Sequence, residues 1–569
     1  MKLKLSITLV LFNVLICVSQ TIDIRYNQLG YFNNRSKIIS LTSGDNFSPQ
    51  SFNVLDANDA IVLSGTSKLA TYWADAQVYV SQADISAINT AGVYTFKSAN
   101  KEVSFTVGTD IYKSISSASL KYYYYSRAST AIPKKYGGVY ARPMGHPDTN
   151  ARVHSSAASA SRPVNTVISS PKGWYDAGDY NKYIVNSGIS TYTLLAAFEH
   201  FDTYYKSKTL NIPETGGDVP DVLDEIKWNL DWMLTMQEPS DGGVYHKLTG
   251  LNFSNKIMPE NYKSQRYVVG KSTAAALNFA AVMAVASRIY ANYETALPEY
   301  STTLLEAAET AYTWAKANPK VYFTNPKDVT TGEYGDNNVA DEFEWAAVEL
   351  FITTKKTEYN KAIKVSNIDN KVPGWRYTDG LALISMLYHK TLFPSNTITS
   401  AKNSFLSTAD KIKHQVEHSA MHISMGIDDK DYTWGSNAVA ANQILLLIRA
   451  YEFTKTNAYL DAAYTAMDYL LGRNGTGFCY VTGFGDMPTT YPHHRISEED
   501  GIEAPIPGML SGGPNPARQD KCSGYLNTSK AGSYVDAWCS FASNEVAINW
   551  NAPLAYTLNA LNFYGNTAP

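Results

Sequence analysis

Two acidic clusters lie far apart in the chain. Gly173-Trp174-Tyr175-Asp176-Ala177-Gly178-Asp179-Tyr180-Asn181-Lys182-Tyr183 sets two carboxylates close together among aromatics and glycines. Near the C-terminus Asp536 follows Tyr534, and Asn544-Glu545-Val546-Ala547-Ile548-Asn549-Trp550 sets another carboxylate between an amide and an apolar run. Rings that stack on pyranoses, amides that bind hydroxyls and paired acids that divide a proton transfer are what glycoside hydrolysis needs. Plainer readings stand beside this one. Asp176 and Asp179 also suit the N-terminus of a helix from Asn181 to Phe198, and two such carboxylates can ligate a metal.

The elements that must position these residues change character once along the chain. Residues 20–109 read as a β-sandwich, because short alternating runs such as Ser51 to Leu55, Val93 to Phe96 and Val103 to Val107 are separated by turn residues. Residues 110–569 read as helical. Amphipathic or nearly apolar stretches recur at Ile184–Tyr205, Val219–Gln237, Ala274–Tyr290, Thr302–Ala317, Ala340–Thr353, Leu381–His389, Ala438–Tyr451, Tyr459–Leu471 and Val546–Phe563. Strands and helices do not alternate, which argues against a parallel sheet. A block with this many helices predicts a closed ring of helical hairpins or a solenoid, and no sequence repeat favours the solenoid.

Composition excludes several functions. The 569 residues carry 48 basic and 52 acidic side chains for a net charge of -4, with no Lys/Arg-rich run. Neither nucleic acid nor an anionic membrane is therefore an expected partner. Lys2 and Lys4 precede the apolar stretch Leu5 to Val18, which reads as a signal peptide over residues 1–19 and predicts export, with secretion and periplasmic residence both open. No other apolar run approaches the ~20 residues of a membrane span. After loss of Cys17 the chain keeps Cys479, Cys522 and Cys539; Cys522 and Cys539 are either bridged or buried thiols.

The helical block resembles family 9 glycoside hydrolases, the inverting cellulases, over essentially its whole length. Four ordered motifs carry the resemblance: the Asp176-Ala177-Gly178-Asp179 segment, Tyr480-Val481-Thr482-Gly483-Phe484-Gly485 continuing to Pro492-His493-His494-Arg495, Pro507-Gly508-Met509-Leu510-Ser511-Gly512-Gly513, and Tyr534 to Ala552. Met487 stands where a basic or amide residue is usual. Ile24-Arg25-Tyr26-Asn27-Gln28-Leu29-Gly30-Tyr31 resembles the start of the immunoglobulin-like module that precedes some of these catalytic domains. The resemblance implies a mainly α protein, an (α/α)6 barrel with an open cleft preceded by a small immunoglobulin-like β-sandwich.

It also implies roles. Glu545 is the expected general acid and Asp179 the general base, with Asp176 orienting the same water and Asp536 supporting the site. His493 and Arg495 are expected to bind substrate near the cleavage point, Arg495 also being placed to orient Asp536. Trp174, Tyr175, Tyr432 and Trp434 are candidate stacking platforms or, equally, packing between helices. Asn337-Asn338-Val339-Ala340-Asp341-Glu342 resembles the family's calcium loop, which Asp379 would complete; the plain alternative is an acidic helix start. Some relatives hold zinc ahead of the first acidic motif, but His146 and Asp148 occur there without any cysteine. The expected activity is endo-β-1,4-glucanase action by a monomer on cellulose and related β-glucans. Relatives acting on xyloglucan, mixed-linkage glucan, glucomannan or chain ends, and a catalytically silent carbohydrate-binding protein, are the alternatives.

Overall fold

A computed structural model describes residues 21–365, 371–525 and 527–566, so the expected signal peptide lies outside the described residues. Nine strands form the N-terminal module: β1 (Asp23–Arg25), β2 (Tyr31–Phe32), β3 (Ile38–Ser43), β4 (Ser51–Leu55), β5 (Ile61–Thr66), β6 (Thr71–Trp73), β7 (Val78–Asp84), β8 (Gly92–Ser98) and β9 (Lys101–Gly108). They make a sheet of order β1-β3-β7-β6 and another of order β2-β9-β8-β4-β5. Alternation sets the inner faces: Phe52 and Val54 of β4, Phe96 of β8 and Phe105 and Val107 of β9 are buried together with Ile39 and Leu41 of β3. Strand β5 was not expected from the sequence, since it lies at a sheet edge with Ile61 and Val62 exposed.

Among the described residues twelve barrel helices follow, alternating between an outer and an inner layer, with four short helices (Lys134–Gly137, Asp202–Lys206, Arg495–Glu499 and Phe541–Asn544) in the connections. The twelve are α1 (Lys113–Tyr125), α2 (Ile184–His200), α3 (Asp221–Thr235), α4 (Thr273–Tyr290), α5 (Tyr300–Ala317), α6 (Ala340–Thr354), α7 (Thr357–Ala362), α8 (Asp379–Tyr388), α9 (Ser395–His418), α10 (Ser436–Thr454), α11 (Asn457–Leu470) and α12 (Ile548–Asn566). The even-numbered helices touch in sequence, α2 to α4 to α6 to α8 to α10 to α12, and α12 closes the ring on α2. The odd-numbered ones pack outside them. The layers follow from sequence. Helix α4 is apolar all round, with only Arg288 not buried, and its alanines allow close approach on every side. Helix α9 buries a single stripe, Ala401, Phe405, Ala409, Ile412 and Val416, and turns its polar residues to solvent. Among the described residues α4 with its extension to Tyr293 is the one segment long and apolar enough to cross a membrane, and it is enclosed by the barrel.

A small sheet caps the ring where helices α2 and α4 begin. Strands β10 (Ala151–Val153), β11 (Val167–Ile168), β12 (Lys182–Tyr183), β13 (Tyr245–Thr249) and β14 (Tyr267–Lys271) run in the order β11-β10-β14-β13-β12. β12 leads directly into α2, and β14 leads into α4 through Ser272, whose Oγ accepts the Ala275 N–H at 3.1 Å.

The sandwich is fused to the barrel rather than tethered. Phe32, Trp73 and Val80 belong to the barrel's own core cluster. Asn27, fully buried, donates through Nδ2 to Tyr112 Oη and to Asp468 Oδ1, both at 2.8 Å. Gln28 accepts the N–H groups of Asp486 and Met487 at 2.9 Å and donates to the Gly477 carbonyl at 2.7 Å. Replacing Asn27 by Ala strips buried Tyr112 and Asp468 of a partner, which costs on the order of 1–3 kcal/mol. Denaturant titration of Asn27→Ala is expected to show that loss, with turnover unchanged well below the unfolding transition.

Candidate active site

Because inner and outer helices alternate, all six inner helices run the same way and their N-termini meet at one end. The candidate residues precede those N-termini: Asp176 and Asp179 before α2, Trp434 before α10, Glu545 before α12. The loop carrying the first pair is fixed from several sides. The Asp176 N–H donates to the Asn181 carbonyl at 3.0 Å, and the Asp176 carbonyl accepts the Ile548 N–H at 2.8 Å. Gly178 is obligatory for space, since a Cβ there would overlap the His493 carbonyl.

The two carboxylates are held differently. Asp176 Oδ1 accepts from Asn186 Nδ2 and Oδ2 from Tyr334 Oη, each at 2.9 Å. Burial first, then the charge of Asp179, pushes the Asp176 carboxyl up to about 8. Asp179 Oδ2 accepts from Asn181 Nδ2 and from Tyr183 Oη, the latter at 3.3 Å. Its Oδ1 is buried without a partner in the protein. A buried carboxylate oxygen left so is costly unless a ligand satisfies it, which marks Oδ1 as a working atom.

Glu545 lies between two loops. Its carbonyl accepts the Gly512 N–H at 2.8 Å, while the His493 N–H donates to the neighbouring Asn544 carbonyl at 2.8 Å. Burial, then the charges of Asp179 and Asp176, raises its carboxyl well above the ordinary glutamate value. Arg495 and a hydrogen bond from the Trp434 side chain oppose that rise. The three carboxyl groups therefore sense one another across one pocket. Trp434 is 40% exposed and its ring lies 5.3 Å from that of Phe541, so one side is open to a sugar.

The remaining polar candidates hold backbone. Asp536 accepts the N–H groups of Thr490 and Tyr491 at 2.7 and 2.9 Å and the Asn544 amide at 2.9 Å, tying down the loop that delivers His493. Its segment is stapled by a disulfide from Cys522 to Cys539, with Cα atoms 5.4 Å apart; Cys479 is a free, buried thiol. Arg495 donates to the Gly178 carbonyl at 2.7 Å and twice to the Ser254 carbonyl at 3.0 and 3.1 Å. The expected contact from Arg495 to Asp536 is thus replaced by a clamp on the Asp176–Asp179 loop. His493 stacks on Trp538 with centroids 4.3 Å apart, and its Nδ1 bonds the Trp538 carbonyl at 2.7 Å. A carbonyl requires Nδ1 to donate, so Nε2 is the acceptor of a ring that burial keeps neutral, its value lowered to about 4.

The geometry belongs to a recognised family. The model of glycosyl hydrolase family 9 matches residues 112–558, and the model of the cellulase N-terminal Ig-like domain matches residues 19–103. The chain belongs to glycosyl hydrolase family 9. It is a glycoside hydrolase of the endo-β-1,4-glucanase kind, with the (α/α)6 architecture of its structural neighbours. A xyloglucan-specific endo-beta-1,4-glucanase of Bacteroides ovatus, BoGH9A, is 44% identical over 562 residues, covering 95% of this chain and 94% of that protein. Endoglucanase D of Acetivibrio thermocellus is 33% identical, covering 94% of this chain and 82% of that one. A solved Bacteroides ovatus GH9 structure superposes with a TM-score of 0.89 at 43% identity, over 95% of this chain and 99% of that one.

Three expected platforms in this family 9 chain are packing residues instead. Trp174 is fully buried and donates through Nε1 to Glu225 at 2.8 Å, and Tyr175 is buried with its hydroxyl on His146 Nδ1 at 2.8 Å. Tyr432 is also buried. Aromatic type and nearness to a motif do not reveal which way a ring faces. Missed by sequence reasoning were Tyr334 and Asn186, which hold Asp176, and Trp538, which backs His493. Asp148 pairs with Lys182 at 2.9 Å and Arg266 at 2.7 Å, while burial keeps His146 far below its usual basicity. The segment where relatives carry zinc is here held by ion pairs.

At the start of α6, Asn337 and Asn338 are exposed, whereas Asp336, Asp341, Glu342 and Asp379 are buried. Asp341 accepts the Thr378 N–H at 2.8 Å. Both Glu342 carboxyl oxygens and Asp336 Oδ2 are buried without partners. Burial, then Asp341 and Asp336, raises the Glu342 carboxyl well above its ordinary value. Among the described residues no three His, Cys, Asp or Glu side chains converge in metal-site geometry; the feature that suits a hard cation is the set of unpartnered oxygens on Glu342 and Asp336.

The Trp434 contact is testable through pH. Its hydrogen bond lowers the Glu545 carboxyl, so Trp434→Phe raises it further and keeps the acid protonated to higher pH. The alkaline limb of the kcat/KM profile is expected to move upward in this variant, and an unmoved limb would disconnect Trp434 from Glu545.

Proposed function

We propose that this enzyme cleaves internal β-1,4-glucosidic bonds of a soluble β-glucan with inversion, using Glu545 as general acid and Asp179 as general base. The observation that carries the reading is the gathering of Asp176, Asp179 and Glu545 at one end of the barrel, on loops joined by the Ile548 N–H to Asp176 carbonyl bond. Glu545, raised by burial and two neighbouring carboxylates, keeps the proton that a leaving sugar oxygen needs. Asp179, with Oδ1 unpartnered, accepts a proton from the attacking water, and Asp176 helps aim that water. His493 Nε2 receives a sugar hydroxyl, and Trp434 and Trp538 supply ring faces. Arg495 and Asp536 act by fixing loops. A second reading concerns the polymer: BoGH9A is xyloglucan-specific by name and covers nearly the whole chain, which supports branched xyloglucan over plain cellulose. A silent binding protein is disfavoured because all three carboxylates are present. The protein works as an exported monomer in this reading, its leader being residues 1–19.

The test joins stereochemistry to mutation. Proton NMR in the first minutes of hydrolysis is expected to show the α anomer rising first from wild-type enzyme on xyloglucan, carboxymethylcellulose or both, because attack is opposite the leaving group. Glu545→Gln is expected to cut turnover ~10²–10⁴-fold with binding largely retained. An initial β anomer would make a carboxylate the nucleophile, and a fully active variant would remove Glu545 from the chemistry.

Calcium is proposed as a structural ion at the start of α6, where it would neutralise the unpartnered carboxyl oxygens of Glu342 and Asp336. Thermal melts are then expected to rise with free calcium and fall with chelator, in proportion to the logarithm of concentration. A melting temperature indifferent to both, in protein with no bound metal by elemental analysis, would leave only an acidic helix start.

A further inference from the structure

Lys247 is a fully buried lysine on β13 that the mechanism above does not use. In the sheet it stands opposite Tyr183 of β12, with Thr249 two positions along on the same face. Its ammonium donates to Thr331 Oγ1 at 3.2 Å, to the Gly332 carbonyl at 2.8 Å and to Asn325 Oδ1 at 2.6 Å. Two hydrogen-bonded routes lead from there to Asp179. On the first, Thr331 Oγ1 and Thr249 Oγ1 are 2.8 Å apart, Thr249 Oγ1 donates to Asn181 Oδ1 at 2.9 Å, and Asn181 Nδ2 donates to Asp179 Oδ2. On the second, the Gly332 N–H donates to Tyr183 Oη at 3.1 Å, and Tyr183 donates to Asp179 Oδ2 at 3.3 Å.

The first route lines up from its far end. Thr331 Oγ1 accepts from Lys247, which leaves its own proton for Thr249. Thr249 Oγ1 in turn has the Asn181 oxygen at 2.9 Å and the Gly250 carbonyl at 2.7 Å as acceptors, and the Asn181 oxygen also accepts the Gly250 N–H at 3.2 Å. The Asn181 amide nitrogen is thereby turned to Asp179. Bonds aligned head to tail reinforce one another in a low-dielectric interior. Lys247 also pins the Thr331–Tyr334 segment, and Tyr334 holds Asp176. One buried lysine thus underlies both carboxylates of the loop.

We propose that Lys247 is the positioning residue for the water-activating carboxylate, orienting Asn181 and Tyr183 onto Asp179 Oδ2 so that Oδ1 is left for the water. The inference rests on the reading of Asp179 as the base. Burial works against the charge on Lys247, bringing it down to about 7, while Asp179 and Glu333 favour it. The other titratable groups facing it are Tyr183, across the strand pair, and neutral His246, lowered to about 3 by burial and then by Lys247 itself.

Four variants test it: Lys247→Met, Lys247→Arg, Thr249→Val and Asp179→Asn, each checked for native circular dichroism and a cooperative melt. Lys247→Met is expected to lower kcat at least ~30-fold with KM within about threefold, since a misaimed base acts on the chemical step. Lys247→Arg is expected to bring back part of kcat. Thr249→Val cuts the first route with Lys247 in place, and lowers kcat with KM held. Folded Lys247→Met with normal kcat overturns the inference. Should that variant fail to fold, normal kcat in Thr249→Val overturns it instead. A fully active Asp179→Asn would bring down the base assignment itself, which separates the two failures.

Discussion

Everything functional in this protein depends on the parity of its helices. Outer and inner helices alternate without exception, so the six inner helices share one direction and the connections entering them gather at one end. Five of the six entering connections bring something: the acidic loop before α2, Lys247 before α4, Tyr334 and Asp336 before α6, Trp434 before α10 and Glu545 before α12. Residues more than 350 positions apart, such as Asp176 and Glu545, are brought together by ring closure alone. The same geometry aims six helix N-termini at the site, where unpaired N–H groups and the positive ends of helix dipoles favour acceptors and negative charge.

Three carboxyl groups in one low-dielectric pocket set the second constraint. Like charges at close quarters in poor solvent cannot all be ionised cheaply, and the protein answers asymmetrically. Asp176 receives two neutral donors, Glu545 receives the tryptophan and the distant arginine, and Asp179 alone has donors aligned from a buried cation. Glu545 and Asp176 are raised by burial and by their neighbours. In the proposed mechanism the different roles of the three carboxyls follow from which partners each was given, with no group of unusual chemistry.

The fold was largely legible because periodicity and motif order are both written along the chain. The inner helices are buried on nearly every side and rich in apolar residues, and their stretches stood out. Helix α1 was missed because serines and tyrosines dilute its pattern, and α9 because its surface is strongly polar, although Ala401, Phe405, Ala409, Ile412 and Val416 keep helical spacing. The carboxylates were found as residues, since acid between glycine and aromatic is conspicuous. Their partners were not. Tyr334, Asn186 and Lys247 come from other connections, and sequence carries no mark of which distant hydroxyl, amide or ammonium will face a carboxylate. The aromatic candidates stayed undecided between platform and packing for the same reason: Trp174 and Trp434 are alike in type and opposite in exposure.

Long connections between helices carry a cost that explains the polar residues around the site. A loop such as Met487–Pro516 buries backbone groups that no helix or sheet satisfies, so side chains must do it. Asp536 takes two N–H groups, Arg495 takes the carbonyls of Gly178 and Ser254, and Asn544 takes the Tyr491 carbonyl at 2.7 Å. Gln28 extends the same device from the sandwich, accepting two N–H groups of the loop that leads to His493. The N-terminal module therefore bears on the site through this loop: it completes the hydrogen bonding of a connection too long to complete its own. That accounts for a sandwich whose core merges with the barrel's at Phe32, Trp73 and Val80, where a flexible linker would leave those carbonyls and amides unpaired.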